Sequence, residues 1–226
     1  MARSTAVRSV QLALVVLFAL FCGWYTSCSG PLRADEIEHY VQRMRERGAS
    51  AERIALLRDF LESDSGDDFV MVNLIELREP PTRIAGVPED ASAEQVLGRY
   101  MEHMWPELLM RACHPVLMGY AAAPALDLWG IEGAERWTQA GVMRYRSRRD
   151  LMEIATDPAF SGPHEFKLAA MTKTIAFPAD PWLQLGDPRL VLGLAFGLIA
   201  LALPRRRQPA SIRLPGAPTS GLGSGS

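Results

Sequence analysis

The chain has 226 residues with a formal net charge of −2, and 48% of its residues are hydrophobic. This length suits one domain of ordinary size with appendages, and the near-neutral charge excludes a general electrostatic attraction to nucleic acid. The three cysteines, Cys22, Cys28 and Cys113, are too few and too scattered for a disulfide framework or a set of metal ligands. Apolar residues are concentrated near both ends, which is typical of membrane segments around a soluble domain.

The first apolar segment, residues 10–28, is long enough for a helix that crosses a bilayer. Arginines precede it and an aromatic pair, Trp24 and Tyr25, lies near its other end, a pattern that places residues 1–9 in the cytoplasm. Two alternatives stay open, because the small residues around Cys28 also suit a cleaved signal peptide or, less well, a lipoprotein. All three interpretations export the middle of the chain, so we expect a periplasmic domain on a bacterial inner membrane.

A second apolar segment, residues 189–204, follows a short linker at 181–188 and precedes three consecutive arginines. Those arginines favour a second membrane helix with both chain termini in the cytoplasm. The remainder, residues 205–226, has too little apolar content to fold and is interpreted as a disordered cytoplasmic tail. Gly193 and Gly197 form a small-residue step that lets the first segment, a second copy or another membrane protein approach closely.

Residues 29–66 predict two short amphipathic helices, the first capped by Asp35 and ended by Gly48. We interpret this stretch as a helical linker that packs on the following domain or stands between that domain and the membrane.

Residues 67–180 predict a strand and helix order of βαββαβ. The stretch Phe69–Leu77 is apolar on both faces, as in a central strand, and a capping box at Ser92 opens a helix in which Pro106 should cause a kink or a restart. The remaining elements are two strands, an interrupted helix and a last strand, predicted at 114–121, 135–146, 147–171 and 174–177.

This order indicates an α+β domain, a ferredoxin-like sandwich with four antiparallel strands and both helices on one sheet face. The other face of the sheet would then be bare and apolar. We therefore expect a homodimer that forms through this face of the sheet.

Three stretches of the domain resemble a known family: FVMVNLIEL, RYMEHMWPELLMRACHPVLMGY, and VMRYRSRRDLMEIATDPAF with HEFKLAAMTKTIAFP after it. From about Asp67 to Ala179 the chain resembles the dimeric α+β barrel superfamily, near the antibiotic-biosynthesis monooxygenase and EthD-like branches. That superfamily includes oxygenases, isomerases, haem enzymes and proteins that only bind. The resemblance therefore implies a fold, and a ligand cavity between the sheet and the helices, but no single activity.

Asn73 is the polar side chain within the apolar part of the first strand, and burial there requires a hydrogen-bond partner or a ligand. The resemblance implies that Asn73 faces the cavity together with polar-tipped residues of the later strands, namely His114, Tyr120, Trp137 and Tyr145. The alternative is that these aromatic residues form core, each with one satisfied polar tip. For an enzyme, the catalytic candidates are Asn73, His103 and Trp137.

His103 and Glu107 are four residues apart on one helix and form a weak candidate for a metal or acid–base pair, although a surface ion pair explains them as well. Haem is a further candidate cofactor, with His103, His114 or His164 as its ligand.

A basic cluster lies around the end of the third strand, formed by Arg144, Arg146 and Arg148. These guanidinium groups suit an anionic ligand or a lipid headgroup. Pairing with nearby acidic residues such as Asp150 and Glu153 explains them equally well.

The sequence contains no Ser-His-Asp set, zinc spacing, phosphate-binding loop or dinucleotide fingerprint. The favoured hypothesis is a noncatalytic, membrane-anchored module that dimerises and binds a partner protein or a small hydrophobic ligand. The alternative is a cofactor-free monooxygenase or isomerase that acts on a hydrophobic aromatic or quinone-like substrate. Haem binding is the second alternative.

Overall fold

The structure is a computed structural model, and it describes residues 2–160 and 162–203. In this part of the chain the elements are α1 (Ala2–Tyr25), α2 (Ala34–Glu46), α3 (Ala51–Glu62), β1 (Phe69–Leu77), α4 (Ala93–Met110), β2 (His114–Tyr120), β3 (Gln139–Tyr145), α5 (Arg148–Thr156), α6 (His164–Ala170), β4 (Met171–Ala179) and α7 (Pro188–Ala202). A short 3₁₀ turn precedes α6.

The four strands form one sheet in the order β2-β3-β1-β4, and all neighbouring strands are antiparallel. This is the ferredoxin-like βαββαβ topology, so the predicted α+β fold is confirmed at that level. Helices α4 and α5 cover one face, where Phe69 and Tyr145 pack against Met104, Leu108 and Ile154. We call this side of the sheet the helix face.

The opposite side, which we call the open face, carries two apolar rows that run across all four strands. Cross-strand pairing places Leu117, Val142, Val72 and Phe177 in one row, and Gly119, Ala140, Leu74 and Ile175 in the next. Leu117 and Phe177 are 55% and 48% exposed. The two rows therefore form an apolar surface that the described part of the chain leaves largely uncovered.

Helices α2 and α3 pack on the domain. Their side chains Val41 and Leu61 are fully buried and share a core with Met152 of α5. Of the two placements considered for residues 29–66, the structure therefore shows packing on the domain, next to α5.

One helix in the described part of the chain is long and apolar enough to cross a membrane. It comprises residues Thr5–Tyr25, with a mean hydropathy of 2.0. Helix α7 has 15 residues, which span only about 22 Å at the α-helical rise, against a hydrocarbon core of about 30 Å. The expectation of a second membrane helix at residues 189–204 is thus corrected: α7 is too short to be a candidate, because it ends at Ala202, ahead of Pro204 in the sequence. Residues 205–226, predicted as a disordered tail, lie outside the described residues.

Helix α7 lies against α1. A Cβ atom built on Gly193 would lie 3.2 Å from the ring of Phe18, whose centroid is 6.4 Å from that of Phe196. The side chain of Gln11 donates a hydrogen bond of 3.1 Å to the carbonyl oxygen of Ala200. The glycine step therefore lets the first segment approach, which is one of the three uses that the sequence left open.

Helix α4 continues through Pro106 as one helix, so the predicted restart does not occur. A proline removes one backbone donor, and Met104 and Leu108 on either side of it are both buried in the core. Tertiary packing on both sides of Pro106 thus maintains a single helix.

Candidate ligand-binding site

A cavity of about 630 Å³ lies between the helix face of the sheet and the helices. Met71 of β1, Met104 of α4 and Leu151 and Ile154 of α5 supply much of its apolar wall. Its volume is within the range of about 300–1,000 Å³ that is usual for small-molecule sites. The cavity occupies the position that the family resemblance implied.

The floor of the cavity is created by small side chains on either side of Asn73. Strand pairing places Gly141 beside Asn73 on β3 and Ala176 beside it on β4. A Cβ atom built on Gly141 would meet no other atom within 4 Å. A large residue at either neighbouring position would fill the space above Asn73, so this row of the sheet keeps the cavity open.

Asn73 and Tyr145 present polar groups to the cavity. The amide nitrogen of Asn73 donates to the carbonyl oxygens of Met71 and Gly141, at 2.9 and 3.4 Å. Its carbonyl oxygen accepts no hydrogen bond from the described residues, so it is available to a ligand. The ring of Tyr145 stacks on Phe69 with centroids 5.5 Å apart, and burial raises the pKa of its hydroxyl, which therefore stays a neutral donor.

Three further polar residues line the cavity from the helices: Tyr100 of α4, and His164 and Lys167 of α6. The ring of Tyr100 meets that of His164 edge-on at 6.3 Å, and the Lys167 ammonium lies 5.8 Å from the Tyr100 centroid. Burial, with the charges of Lys167 and two rim arginines, lowers the pKa of His164. Burial likewise lowers the pKa of Lys167.

The rim of the cavity comes from the end of α2 and the start of α3. Arg47 and Arg53 lie there on the exposed side. Arg47 donates two hydrogen bonds of 2.6 Å to the carbonyl oxygens of Ala155 and Thr156 at the end of α5. These contacts position α2 over the cavity.

The remaining residues predicted for the cavity lie elsewhere. The ring of Trp137 lies 4.7 Å from the Lys173 ammonium, and the hydroxyl of Tyr120 donates to the Glu94 carboxylate. His114 is at the other end of β2 from Tyr120, with its Nε2 atom 2.6 Å from the hydroxyl of Tyr25. Of the five predicted ligand-binding residues, the structure therefore brings Asn73 and Tyr145 together.

The weak metal candidates do not converge. His103 is exposed and its Nδ1 atom lies 2.9 Å from the carbonyl oxygen of Arg99, whereas Glu107 pairs with Arg111. In the described chain no three His, Cys, Asp or Glu residues cluster as metal ligands. Among the three histidines considered for haem, His164 is the one that lines the cavity, and haem ligation stays an untested expectation.

The three arginines predicted to contact an anion or lipid are engaged within the chain. Arg144 binds Asp68, and Arg146 binds Asp150 at 2.6 Å. Arg148 donates to the hydroxyl of Ser63 at 2.8 Å and to the carbonyl oxygen of Phe60. The arrangement matches the alternative of internal pairing for Arg146 and Asp150, and binding of an external anion by these residues stays a prediction.

Sequence reasoning missed several lining residues, including Tyr100, Arg47 and Arg53. Tyr100 sits on an apolar helical stripe and is indistinguishable there from ordinary core. The arginines reach the cavity only because α2 and α3 fold back onto α5. One usable signal was present, since the glycine at 141 inside a strand is typical of a place where a ligand comes close to the backbone.

Taken together, topology and site define an α+β protein with a ferredoxin-like four-stranded sheet and a cavity under its helices. The chain matches no protein-family model and no curated protein. Among solved structures it is similar to RPA0582, a protein of unknown function from Rhodopseudomonas palustris, with 21% identity and a TM-score of 0.47 over 60% of this chain and 95% of that one.

Two further solved structures are similar. The methylated form of RPA0582 has 22% identity and a TM-score of 0.48, covering 62% of this chain and 96% of that chain. A dimeric protein of unknown function with a ferredoxin-like fold, from Bacteroides fragilis, has 14% identity and a TM-score of 0.31, covering 50% of this chain and 96% of its own. The fold assignment rests on the strand order and pairing of this chain itself.

Proposed function

We propose that this protein is a membrane-anchored domain that binds a small, largely apolar molecule in the cavity between its sheet and helices. The observation that carries the proposal is the row Gly141, Asn73 and Ala176, where two small residues flank a half-buried amide and leave space above it. Apolar walls with a few convergent polar groups are typical of small-molecule sites. The amide oxygen of Asn73 and the hydroxyl of Tyr145 would orient the bound molecule.

The proposal predicts that a large side chain at position 176 abolishes binding. Native mass spectrometry of the full chain in detergent reports a retained small molecule and the number of subunits together. We expect Ala176→Phe to lose the bound mass, because a phenyl ring there would occupy the floor of the cavity and phenylalanine is well tolerated in strands. The control is Thr172→Phe, an exposed position of the same strand outside the cavity lining.

Retention of the same small molecule by Ala176→Phe would contradict the proposal. So would wild-type protein that neither retains nor takes up any small molecule.

The second candidate is a cofactor-free monooxygenase or isomerase acting on an aromatic or quinone-like substrate. It is favoured by His164, because a lowered pKa favours the neutral imidazole, which can accept a proton in the cavity that Asn73 and Tyr145 also line. The catalytic set would then be Asn73 and His164 rather than Asn73, His103 and Trp137. Conversion of the recovered ligand by the purified protein in air would support this candidate, and unchanged ligand would support binding alone.

We further propose that α1 anchors the protein in a bacterial inner membrane and that α7 lies beside it in the apolar layer, with the domain in the periplasm. The packing of Phe18 on Gly193 supports a pair of helices side by side. The exposed apolar side chains of α1 and α7 suit contact with lipid. A Cβ atom added to Gly197 would meet nothing within 4 Å, which leaves room for a helix of another membrane protein.

The dimeric α+β barrel arrangement belongs to the same proposal. The two apolar rows of the open face would be covered by those of a second copy. What supports it is the continuity of these rows over four strands with large exposed side chains at both edges, Leu117 and Phe177.

A further inference from the structure

The cavity has a charge asymmetry that a purely apolar ligand would not require. Among the described residues that line it, none is acidic, whereas Lys167, Arg53 and Arg47 are basic. The charges that act on His164 come from these same three residues and all are positive. The interior of the cavity is therefore an environment that favours a negative group.

Lys167 is a cavity residue whose ammonium has no counter-ion among the described residues. Within the described part of the chain its ammonium takes part in no hydrogen bond or ion pair, and its contact is with the ring of Tyr100 at 5.8 Å. The other lysine of the sequence, Lys173, pairs with Glu76 at 3.2 Å. Arg149, nearby on α5, pairs with Glu36 at 2.7 Å.

A partly buried charge without a counter-ion is unfavourable, so buried charges in proteins are normally paired. Burial lowers the pKa of Lys167, because it disfavours the charged form of the amine. An acidic group on a ligand would supply the missing partner. Arg53, whose guanidinium also has no pair among the described residues, lies at the rim of the same cavity.

We propose that the ligand of this cavity is an organic anion. It has an apolar ring system and a carboxylate or similar acidic group that pairs with the Lys167 ammonium. This inference rests on the proposed function, since it names the chemical class of the molecule bound there. The apolar ring system contacts Met71, Met104 and Leu151, and the acidic group lies on the α6 side of the cavity.

Two probes with the same ring system, one anionic and one neutral, distinguish the contribution of the apolar contacts from that of the charge. Isothermal titration calorimetry of the full chain in detergent, with empty micelles as the blank, is performed with 2-naphthoate and with its neutral counterpart 2-naphthamide. We expect naphthoate to bind about tenfold more tightly or better, the scale of one charge-assisted hydrogen bond. Lys167→Met should remove that advantage and leave the affinity for naphthamide within about twofold.

Two further variants complete the test. Lys167→Arg, which keeps the charge, should retain preference for naphthoate, and Lys173→Met, outside the cavity, should leave both affinities unchanged. Because Lys167 is an unpaired cation, Lys167→Met should also raise the melting temperature, whereas loss of a structural contact would lower it.

The outcomes distinguish the inference from the proposal beneath it. Equal affinity for the two probes, or equal weakening of both by Lys167→Met, would overturn anion recognition and leave ligand binding in place. If neither probe binds, the proposed function is overturned and the inference with it.

Discussion

At the residue scale, Asp68 lies at the junction between the sheet domain and helices α1 and α7. Its Oδ2 atom accepts hydrogen bonds from Arg144 at 2.5 Å and from Arg189 at 2.8 Å. The side chain of Arg144 is 1% exposed, lies 3.6 Å from the ring centroid of Tyr25, and also donates to the carbonyl oxygens of Ala112 and Tyr25. One carboxylate thus supplies the counter-ion of a buried guanidinium on β3 and links it to Arg189 in the first turn of α7, which also pairs with Asp187 at 2.5 Å.

Asp68→Asn should destabilise the protein strongly, because it leaves Arg144 buried without a counter-ion. We expect a loss of about 3 kcal/mol in the free energy of unfolding, the lower end for a broken buried pair since two carbonyl contacts remain. Chemical denaturation in detergent, followed by circular dichroism, measures this loss. The control is Glu89→Gln, which breaks an exposed ion pair with Arg83 and should leave the free energy of unfolding unchanged. Equal stability of the two variants would show that Arg144 does not depend on Asp68.

At the scale of elements, strand register decides the roles of the apolar side chains. The sequence shows β1 as apolar on both faces and therefore central, and the structure places it between β3 and β4. The sequence does not show which face of β1 meets the helices. Met71 and Asn73 turn toward the cavity, whereas Val72 turns to the open face, because the pairing to β3 and β4 fixes the alternation.

The open face yields a prediction about assembly. Phe177→Asp places a charge within the proposed contact, at its β4 edge, and we expect it to weaken the dimer by about tenfold or more, since a buried unpaired carboxylate opposes association. Sedimentation velocity of the protein–detergent complex measures the mass. Leu168→Asp, at a 64% exposed position of α6 on the helix side, should leave the dimer intact. A wild-type monomer, or a dimer unaffected by Phe177→Asp, would exclude this surface as the interface.

At the scale of the whole molecule, the strands run from an end of the sheet that contacts α1 to a distal end. Tyr25, the last residue of α1, contacts His114 at the start of β2 and Arg144 near the end of β3. The loop between β2 and β3 is at the other end of the sheet, about 20 Å away for a seven-residue strand. Leu126 and Trp129 in this loop are 96% and 93% exposed.

This polarity allows a test of membrane orientation. In a Cys28→Ser background, we expect Leu126→Cys to react with a membrane-impermeant maleimide added to spheroplasts, because the distal loop should be in the periplasm. Ser4→Cys, ahead of the apolar segment, should react only after the membrane is lysed. Labelling of position 4 but not of position 126 in intact spheroplasts would reverse the proposed orientation.

The sequence by itself determined the order of strands and helices, the position of the apolar segments and the presence of an amide side chain, Asn73, within an apolar strand. These features follow from local periodicity, capping residues and turn residues, which are readable along the chain. Only the tertiary structure decided that Asn73 and Tyr145 share a cavity with His164 and Lys167, while Trp137, His114 and Tyr120 lie outside it.

The physical reason is that a cavity is a property of several elements packed together. Its floor depends on the register that sets Gly141 and Ala176 beside Asn73, its rim depends on α2 and α3 folding back onto α5, and its charge depends on which basic residues find acidic partners. Arg144 and Lys167 are both basic residues of this domain, yet Asp68 neutralises the first and the second faces the cavity unpaired. Local sequence does not encode that difference, because the partners lie far apart along the chain and meet only in the folded protein.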